Sequence, residues 1–264
     1  MRIAVLGGGV MGETLASALG QADPVPDIVV AEKRPERAAE LAERLGVRIA
    51  SPVDAVRGAD VVILVVKPQD TLALLDEVGA RIEPGSTVIS IAAGIRTSTV
   101  EQAVPAGVHV VRAMPNTPAS IGQGVTGISA GAQCPPEALA LAEALLARVG
   151  LVVCVREELQ DAVTAVSGSG PAYLFYLAEG MVAAGRDLGL EAEVARDMVV
   201  QTLVGAALLL QSSQEDAAEL RRRVTSPQGT TAAAIGTLDD RGVGDAVRAA
   251  LTAARDRSRE LSGG

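Results

Sequence analysis

Aromatic side chains are nearly absent from this chain, whose 264 residues include one phenylalanine, two tyrosines and no tryptophan. All three aromatic residues fall between Tyr173 and Tyr176. A protein that stacks nucleobases along an open groove needs more aromatic platforms than that. The formal net charge of −9 also repels phosphate backbones. Both observations predict that nucleic acid is not a partner.

Cysteine and long apolar runs are scarce as well. Cys134 and Cys154 stand apart without a CxxC pattern, which disfavours a disulfide framework and a zinc site, so no metal is expected. The apolar stretch 199–210 is shorter than the roughly 20 residues that a membrane span requires. Glycines 7–9 interrupt the apolar N-terminal stretch, unlike a secretory signal. We expect a soluble, cytoplasmic protein without membrane contact.

Up to about residue 156, short β-branched runs alternate with amphipathic stretches, which is typical of a parallel sheet covered by helices. The predicted strands are 3–6, 28–30, 61–66, 87–89 and 108–111. The predicted helices are 11–19, 35–45, 70–78 and 97–104, and a last βαβ unit is predicted at 126–129, 136–149 and 151–155.

Beyond residue 156 the strand pattern stops and apolar residues recur at helical spacing. We therefore predict two domains, a Rossmann-type domain over 1–156 and a helical domain over 157–264. The second is small for an independent all-helical domain, yet it is rich in apolar residues. It is expected to pack against a second copy, so the fold class is α/β with an all-helical dimerisation domain.

The first predicted strand runs into a GxGxxG pattern that opens a helix, formed by Gly7, Gly8, Gly9, Val10, Met11 and Gly12. In such a turn the first glycine permits a tight bend, the second lets the backbone approach a pyrophosphate, and the third lets helix and strand pack closely. The helix N-terminus offers unpaired N–H groups to the phosphates. The position of this motif inside a βαβ unit predicts a dinucleotide site.

Specificity for the ribose is expected about 20 residues after the last glycine, at Glu32, Lys33 and Arg34. A carboxylate there suits the free 2′-hydroxyl of NADH, whereas the two cations suit the 2′-phosphate of NADPH. Alternatively, all three side chains merely solvate the start of the next helix. Because two cations flank one carboxylate, we expect both cofactors to be used, with a modest preference for NADPH.

Proton-transfer residues are few, since His109 is the only histidine, and Lys33 and Lys67 are the only lysines. Hydride transfer to a ketone usually requires such a relay, and the helical half contains none. A substrate that needs little acid catalysis fits better. A protonated imine is one, because it already carries the charge that accepts hydride.

Two loops of the second half are suited to a small anionic substrate. Residues 167–171 and 225–231 place glycines and hydroxyls just ahead of helices predicted to begin at Pro171 and Ala232. A helix start of this kind holds a carboxylate through backbone N–H groups and hydroxyls. Ordinary turn and capping chemistry is the alternative for either loop alone.

Five segments stand in the order and spacing of pyrroline-5-carboxylate reductases, namely 7–12, 65–68, 112–118, 167–173 and 225–231. The chain resembles that family over essentially its whole length. The resemblance implies reduction of 1-pyrroline-5-carboxylate to L-proline with NAD(P)H, the last step of proline biosynthesis. It also implies a homodimer through the helical domain, a possible ring of dimers, and substrate bound between one Rossmann domain and the helices.

The resemblance assigns roles to individual residues. Besides the glycine turn and residues 32–34, it implies cofactor contacts at Val65, Val66, Lys67, Pro68, Ala92, Ala93, Gly94, Pro115 and Asn116. It implies substrate contacts at Met114, Ser226, Gly229, Thr230 and Thr231. It gives Thr231, with Thr164, the catalytic position near the ring nitrogen. Gln228 stands where the family commonly has glycine, and 32–34 depart from its usual segment.

Two other functions remain open from the sequence. One is a Rossmann enzyme that acts on a different imine or on a deazaflavin. The other is a dinucleotide-sensing protein without catalysis, which the intact substrate loops disfavour. Oxidation of NAD(P)H with pyrroline-5-carboxylate and with other cyclic imines separates these possibilities.

Overall fold

The computed structural model describes residues 1–262, in which eight strands form one sheet. The strands are β1 (Arg2–Leu6), β2 (Asp27–Ala31), β3 (Arg48–Ile49), β4 (Val61–Leu64), β5 (Thr87–Ser90), β6 (His109–Met114), β7 (Gly124–Ala130) and β8 (Gly150–Cys154). The helices are α1 (Val10–Gly20), α2 (Pro35–Leu45), α3 (Pro52–Val56), α4 (Pro68–Val78), α5 (Thr97–Ala103), α6 (Pro136–Leu146), α7 (Gln160–Val163), α8 (Gly170–Asp187), α9 (Ala192–Ser212), α10 (Ala217–Arg223), α11 (Thr230–Asp240) and α12 (Val243–Leu261). A π-helical turn, Thr164–Gly168, follows α7.

The sheet has the strand order β3-β2-β1-β4-β5-β6-β7-β8. From β3 to β6 all pairs are parallel, which is the doubly wound Rossmann arrangement. The order reverses between β1 and β4, so a crevice is expected outside their carboxyl ends. The predicted α/β fold is confirmed.

Alternate residues of the strands lie in two different cores. Ile3 and Val5 of β1 belong to one apolar cluster, whereas Ala4 and Leu6 belong to the other. Each central strand is therefore buried on both faces, which explains why its sequence is continuously apolar.

Several details of the sheet differ from the prediction, including β6, which ends at Met114 rather than at residue 111. The two-residue strand β3 was not predicted, because Arg48–Ile49 is too short to show a pattern. Strand β4 ends at Leu64 rather than at residue 66. Strand β7 runs antiparallel to β6, although its βαβ connection to β8 is parallel as expected.

Proline and glycine mark the limits of several helices. Helix α2 has the predicted bounds, since Pro35 occupies its first position and Gly46 follows it with a left-handed φ of 64°. Helix α4 begins at Pro68, two residues before its predicted start. Helix α8 begins at Gly170 rather than Pro171, and α11 begins at Thr230 rather than Ala232.

The chain divides into two compact units. The first comprises Met1–Ser169 together with the chain from Ala254, and the second comprises Gly170–Ala253. Within the second unit, Ala195 and Val199 are the buried apolar side chains of the described structure. The boundary at 156/157 that was inferred from the sequence stays a prediction. Within residues 1–262, no helix is both long and apolar enough to cross a membrane.

Candidate active site

The glycine turn connects β1 to α1 at the point where the strand order reverses. Gly7 has a φ of +121°, and a Cβ on it would lie 2.6 Å from the carbonyl oxygen of Val65. A Cβ on Gly12 would lie 1.9 Å from the carbonyl oxygen of Gly7. Within the described residues, a Cβ on Gly9 would meet nothing within 4 Å, and no side chain caps α1. The turn is thus closed where it packs and open at the helix N-terminus, which fits a pyrophosphate.

Glu32 lies at the end of β2 with its carboxylate turned towards the glycine turn. Its side chain is 8% exposed, and Oε2 accepts a hydrogen bond from the N–H of Gly8 at 3.1 Å. Oε1 accepts hydrogen bonds from the backbone N–H and from Nε of Arg34, each at 2.9 Å. The side-chain hydrogen bond from Arg34 lowers the pKa of Glu32, against the opposite effect of burial. The carboxylate is therefore charged and already bonded.

Two cations follow this carboxylate. The Arg34 side chain is 67% exposed and also reaches Oε2 of Glu32 through Nη2, at 3.3 Å. Lys33 is exposed. Of the three predicted ribose determinants, Glu32 and Arg34 thus form an ion pair with each other, and Lys33 lies exposed between them in sequence.

The predicted walls of the cofactor crevice follow β4 and β5. The N–H of Val65 donates to the carbonyl of Leu6 at 2.9 Å, which keeps this segment beside β1. Val66 is half-buried, while Lys67 and Pro68 are exposed where α4 begins. Beyond β5, Ala92 and Gly94 are buried and Ala93 is half-buried.

Asn116 ties the end of β6 to the π-helical turn. This side chain is buried, and its Nδ2 donates to the carbonyl of Ser167 at 3.1 Å. Its Oδ1 accepts a hydrogen bond from the N–H of Val125 at 3.0 Å. Met114 contacts the same turn, because a Cβ on Gly168 would lie 2.7 Å from Met114 Cε. Pro115, between them, is buried.

Thr164 opens the π-helical turn. Its Oγ1 donates to the carbonyl of Gln160 at 2.9 Å, so its lone pairs remain available to accept from a ligand. The N–H of Ser169 donates to the carbonyl of Thr164 at 2.8 Å, which closes the wider π turn. Such turns occur frequently at functional sites. The sequence analysis named the Thr164 hydroxyl as a site group, but it did not predict the π-helical turn that carries it.

Arg112 is a buried cation that the sequence analysis did not single out as functional. It lies two residues before Met114, and its guanidinium is 3.5 Å from Glu157 and 3.9 Å from Asp161. Glu157 also accepts hydrogen bonds from the N–H and the hydroxyl of Thr97, at 2.7 and 2.6 Å. An arginine inside an apolar strand run is the signal that could have indicated this anchor, because a buried charge requires partners.

In the second unit, a tight turn leads into α11. The N–H of Gly229 donates to the carbonyl of Ser226 at 3.0 Å, with Pro227 and Gln228 between them. Gln228 has a φ of 62°, which matches the third position of a type II turn. Glycine is favoured at that position, which explains its common occurrence in the resembling family. A Cβ on Gly229 would lie 2.5 Å from Ser226 Oγ, so a larger residue at this position would turn the Ser226 hydroxyl away.

Helix α11 presents its first turn without a side-chain cap. Gly229 is the N-cap, and Thr230 and Thr231 are the first two helical residues rather than part of the preceding loop. Within residues 1–262, the Thr231 hydroxyl forms no hydrogen bond. Free N–H groups and hydroxyls at a helix start suit a carboxylate.

The fold and the glycine turn define a dinucleotide-binding oxidoreductase with an additional helical unit. Accordingly, a family model described as NADP oxidoreductase, coenzyme F420-dependent, matches residues 2–94. A second model, described as pyrroline-5-carboxylate reductase dimerisation, matches residues 157–261.

Relatives over the full length narrow this class. The chain is 44% identical to a pyrroline-5-carboxylate reductase of Mycobacterium tuberculosis, over 98% of this chain and 96% of the relative. It is 43% identical to one from Pseudomonas aeruginosa, over 99% and 97%. A solved pyrroline-5-carboxylate reductase from Coxiella burnetii superposes with a TM-score of 0.90 at 35% identity, covering 99% and 98% of the two chains. The chain belongs to the pyrroline-5-carboxylate reductase family.

Proposed function

We propose that this chain reduces 1-pyrroline-5-carboxylate to L-proline with NADPH or NADH, as the final step of proline biosynthesis. The observation that carries the proposal is the similarity to reductases of that name over 98% of the chain at 44% identity. The open glycine turn and the uncapped start of α11 supply one anion site for a dinucleotide and one for a carboxylate.

The dinucleotide is held by the glycine turn and the ends of the neighbouring strands. When bound, its nicotinamide supplies the hydride that the reaction consumes. The open space at Gly9 and the uncapped N-terminus of α1 fit its pyrophosphate. Residues 65–68, 92–94, Pro115 and Asn116 complete the proposed cofactor site, with the Asn116 amide engaged by the protein itself.

The substrate carboxylate is proposed to dock at the start of α11. Backbone N–H groups at Thr230 and Thr231, which have no partner within the helix, bind its oxygens there with the Ser226 hydroxyl. One threonine hydroxyl, that of Thr231 or that of Thr164, accepts a hydrogen bond from the single N–H of the protonated ring nitrogen. Met114 is the proposed substrate contact in the first unit, where it lies beside Gly168 and Thr164.

This arrangement needs no protein acid, because a protonated imine carries its own positive charge. Residues 157–264 contain neither lysine nor histidine, in agreement with that requirement. The protein acts by holding the substrate in a reactive orientation. Positioning of this kind contributes about 7–11 kcal/mol in well-oriented systems.

We propose that both cofactors are accepted, with NADPH modestly preferred. The Glu32 carboxylate, which would repel a 2′-phosphate, is covered by the Gly8 N–H and by Arg34. The exposed Arg34 side chain and Lys33 leave positive charge at the surface beside it. This combination tolerates either a hydroxyl or a phosphate on the ribose.

A homodimer through the helical unit, and a ring of such dimers, are further proposals. The described second unit buries only Ala195 and Val199 among its apolar side chains, which is too few for an independent core. Phe175 and Tyr176 of α8 and Leu208 of α9 are exposed, as are many apolar neighbours on these helices. An apolar surface of this kind is typical of subunit interfaces.

We also place the enzyme in the cytoplasm, where the two free cysteines would stay reduced.

A spectrophotometric assay tests the proposed function. Purified protein should oxidise NADPH and NADH when 1-pyrroline-5-carboxylate is added, and it should form proline. A six-membered cyclic imine and an oxidised deazaflavin are the competing hydride acceptors, the latter suggested by the match at residues 2–94. Faster turnover with either competitor, or no turnover at all, would refute the proposal.

A further inference from the structure

Both backbone polar groups of Gly8 are hydrogen-bonded to side chains. Its N–H donates to Glu32 at 3.1 Å, and its carbonyl oxygen accepts from Nε of Arg37 at 3.0 Å. Gly8 lies between two glycines of the fingerprint, so these bonds orient the two peptide groups through which the turn continues towards α1. Arg37 lies on α2, outside the GxGxxG motif, so the motif does not predict its role.

The Arg37 guanidinium is itself fixed in three directions. Nη1 pairs with Glu40 on the same helix at 2.7 Å, and Nη2 pairs with Glu13 on α1. The side chain is only 17% exposed. The planar fork of arginine suits this use, because each nitrogen bonds a different part of the unit. The described contacts occupy Nε, Nη1 and Nη2 with protein acceptors.

We propose that Arg37 is a positioning residue for the dinucleotide, acting through the Gly8 carbonyl and without contact to the 2′ position of the ribose. This inference rests on the proposed dinucleotide binding. NADH and NADPH share the pyrophosphate that faces the turn. Loss of the Arg37–Gly8 hydrogen bond therefore weakens the binding of NADH and of NADPH by the same factor. Arg34, in contrast, affects the preference between the two cofactors.

Arg44 provides a matched control. Its Nη2 pairs with Glu13 at 2.7 Å and its Nη1 pairs with Glu40 at 2.8 Å, so it shares both carboxylates with Arg37. Its side chain is 56% exposed, and within residues 1–262 it forms no hydrogen bond to Gly8. Arg44→Gln thus removes a similar pair of salt bridges and leaves the turn untouched.

The experiment measures dissociation constants of NADH and NADPH by nicotinamide fluorescence, on full-length wild type, Arg37→Gln, Arg37→Lys and Arg44→Gln. The lysine variant keeps a cation between the two glutamates but lacks the fork that reaches Gly8. In both Arg37 variants the dissociation constants of NADH and NADPH should rise roughly tenfold and by the same factor, as expected for the loss of a charge-assisted hydrogen bond. Arg44→Gln should stay within about twofold of wild type, as is usual for exposed ion pairs.

Several outcomes would overturn the inference. Weaker binding of NADPH alone, with NADH binding unchanged, would show that Arg37 contacts the 2′-phosphate. Wild-type affinity in Arg37→Lys would show that charge matters rather than the bond to Gly8, and equal losses in Arg44→Gln would point to the ion pairs as a group. Failure of wild type to bind either dinucleotide would instead refute the proposed function, and this inference with it.

Discussion

Replacement of Asn116 by alanine should lower both stability and catalysis. The side chain is buried and bonds the Ser167 carbonyl and the Val125 N–H. Each neutral hydrogen bond contributes about 0.5–1.5 kcal/mol, and a buried group left without a partner costs about 1–3 kcal/mol. We expect a loss of about 2–3 kcal/mol. At about 2–4 °C per kcal/mol, the melting temperature should fall by about 4–12 °C.

Asn116→Asp separates the two bonds. The carboxylate can still accept from the Val125 N–H, but it cannot donate to the Ser167 carbonyl, and it places two acceptors face to face. The π-helical turn should then be displaced, although Val125 of β7 keeps its hydrogen bond to residue 116. Because that turn carries Thr164 and packs on Met114, the Michaelis constant for the imine should rise in both variants.

Calorimetry and steady-state kinetics decide the matter, with Ser120→Ala as the control. Ser120 belongs to the same segment but is exposed, and within residues 1–262 its hydroxyl bonds only the nearby Thr117 carbonyl, at 3.0 Å. Its loss should change stability by about 0.5 kcal/mol or less. An unchanged melting temperature in Asn116→Ala, together with a raised Michaelis constant for the cofactor alone, would contradict the reasoning. Asn116 would then bond the cofactor through its amide.

Three further predictions follow from the same structure. Thr231→Ala should reduce kcat/KM roughly 10- to 150-fold while cofactor binding stays intact. Thr231→Ser keeps the hydroxyl and should recover most of the lost kcat/KM. Normal kinetics with a lowered melting temperature in the alanine variant would show that Thr231 only stabilises the helix start. Arg34→Ala should raise the Michaelis constant for NADPH more than that for NADH, because it uncovers the Glu32 carboxylate; equal effects on both cofactors would refute this. Gln228→Gly should raise the free energy of unfolding by up to about 1 kcal/mol, since it relieves a left-handed side chain at some cost in chain entropy; differential scanning calorimetry that shows destabilisation would argue against the turn assignment.

The fold was accessible from the sequence because its signals are local and repeated. Continuous apolar runs predicted strands buried on both faces, and Pro35 with Gly46 fixed the bounds of α2. The direction of β7 has no local signal, since it depends on which edge of the sheet the strand meets. The early start of α11 was missed because threonine occurs both in caps and in first turns.

The candidate site was predictable as a set of residue types, but its internal bonds were not. Glu32 was expected to face the ribose, and the structure also bonds it to the Gly8 N–H. Arg37 carries no motif and lies 29 residues from Gly8, so only folding brings the two together. Asn116 was predicted as a cofactor contact, whereas its amide is occupied by Ser167 and Val125.

Gly8 and Gln228 show why a motif alone does not determine which positions require glycine. The GxGxxG pattern leaves Gly8 unspecified, yet a Cβ there would lie 2.5 Å from Leu41 and 2.9 Å from the Glu32 carboxylate. A side chain at Gly8 would therefore displace its tertiary neighbours, which the motif does not reveal. Gln228 is the reverse case, because its left-handed φ of 62° favours glycine and a larger residue occupies it. Its backbone strain is local, and the hydrogen bond from Gly229 to Ser226 holds the turn in spite of it.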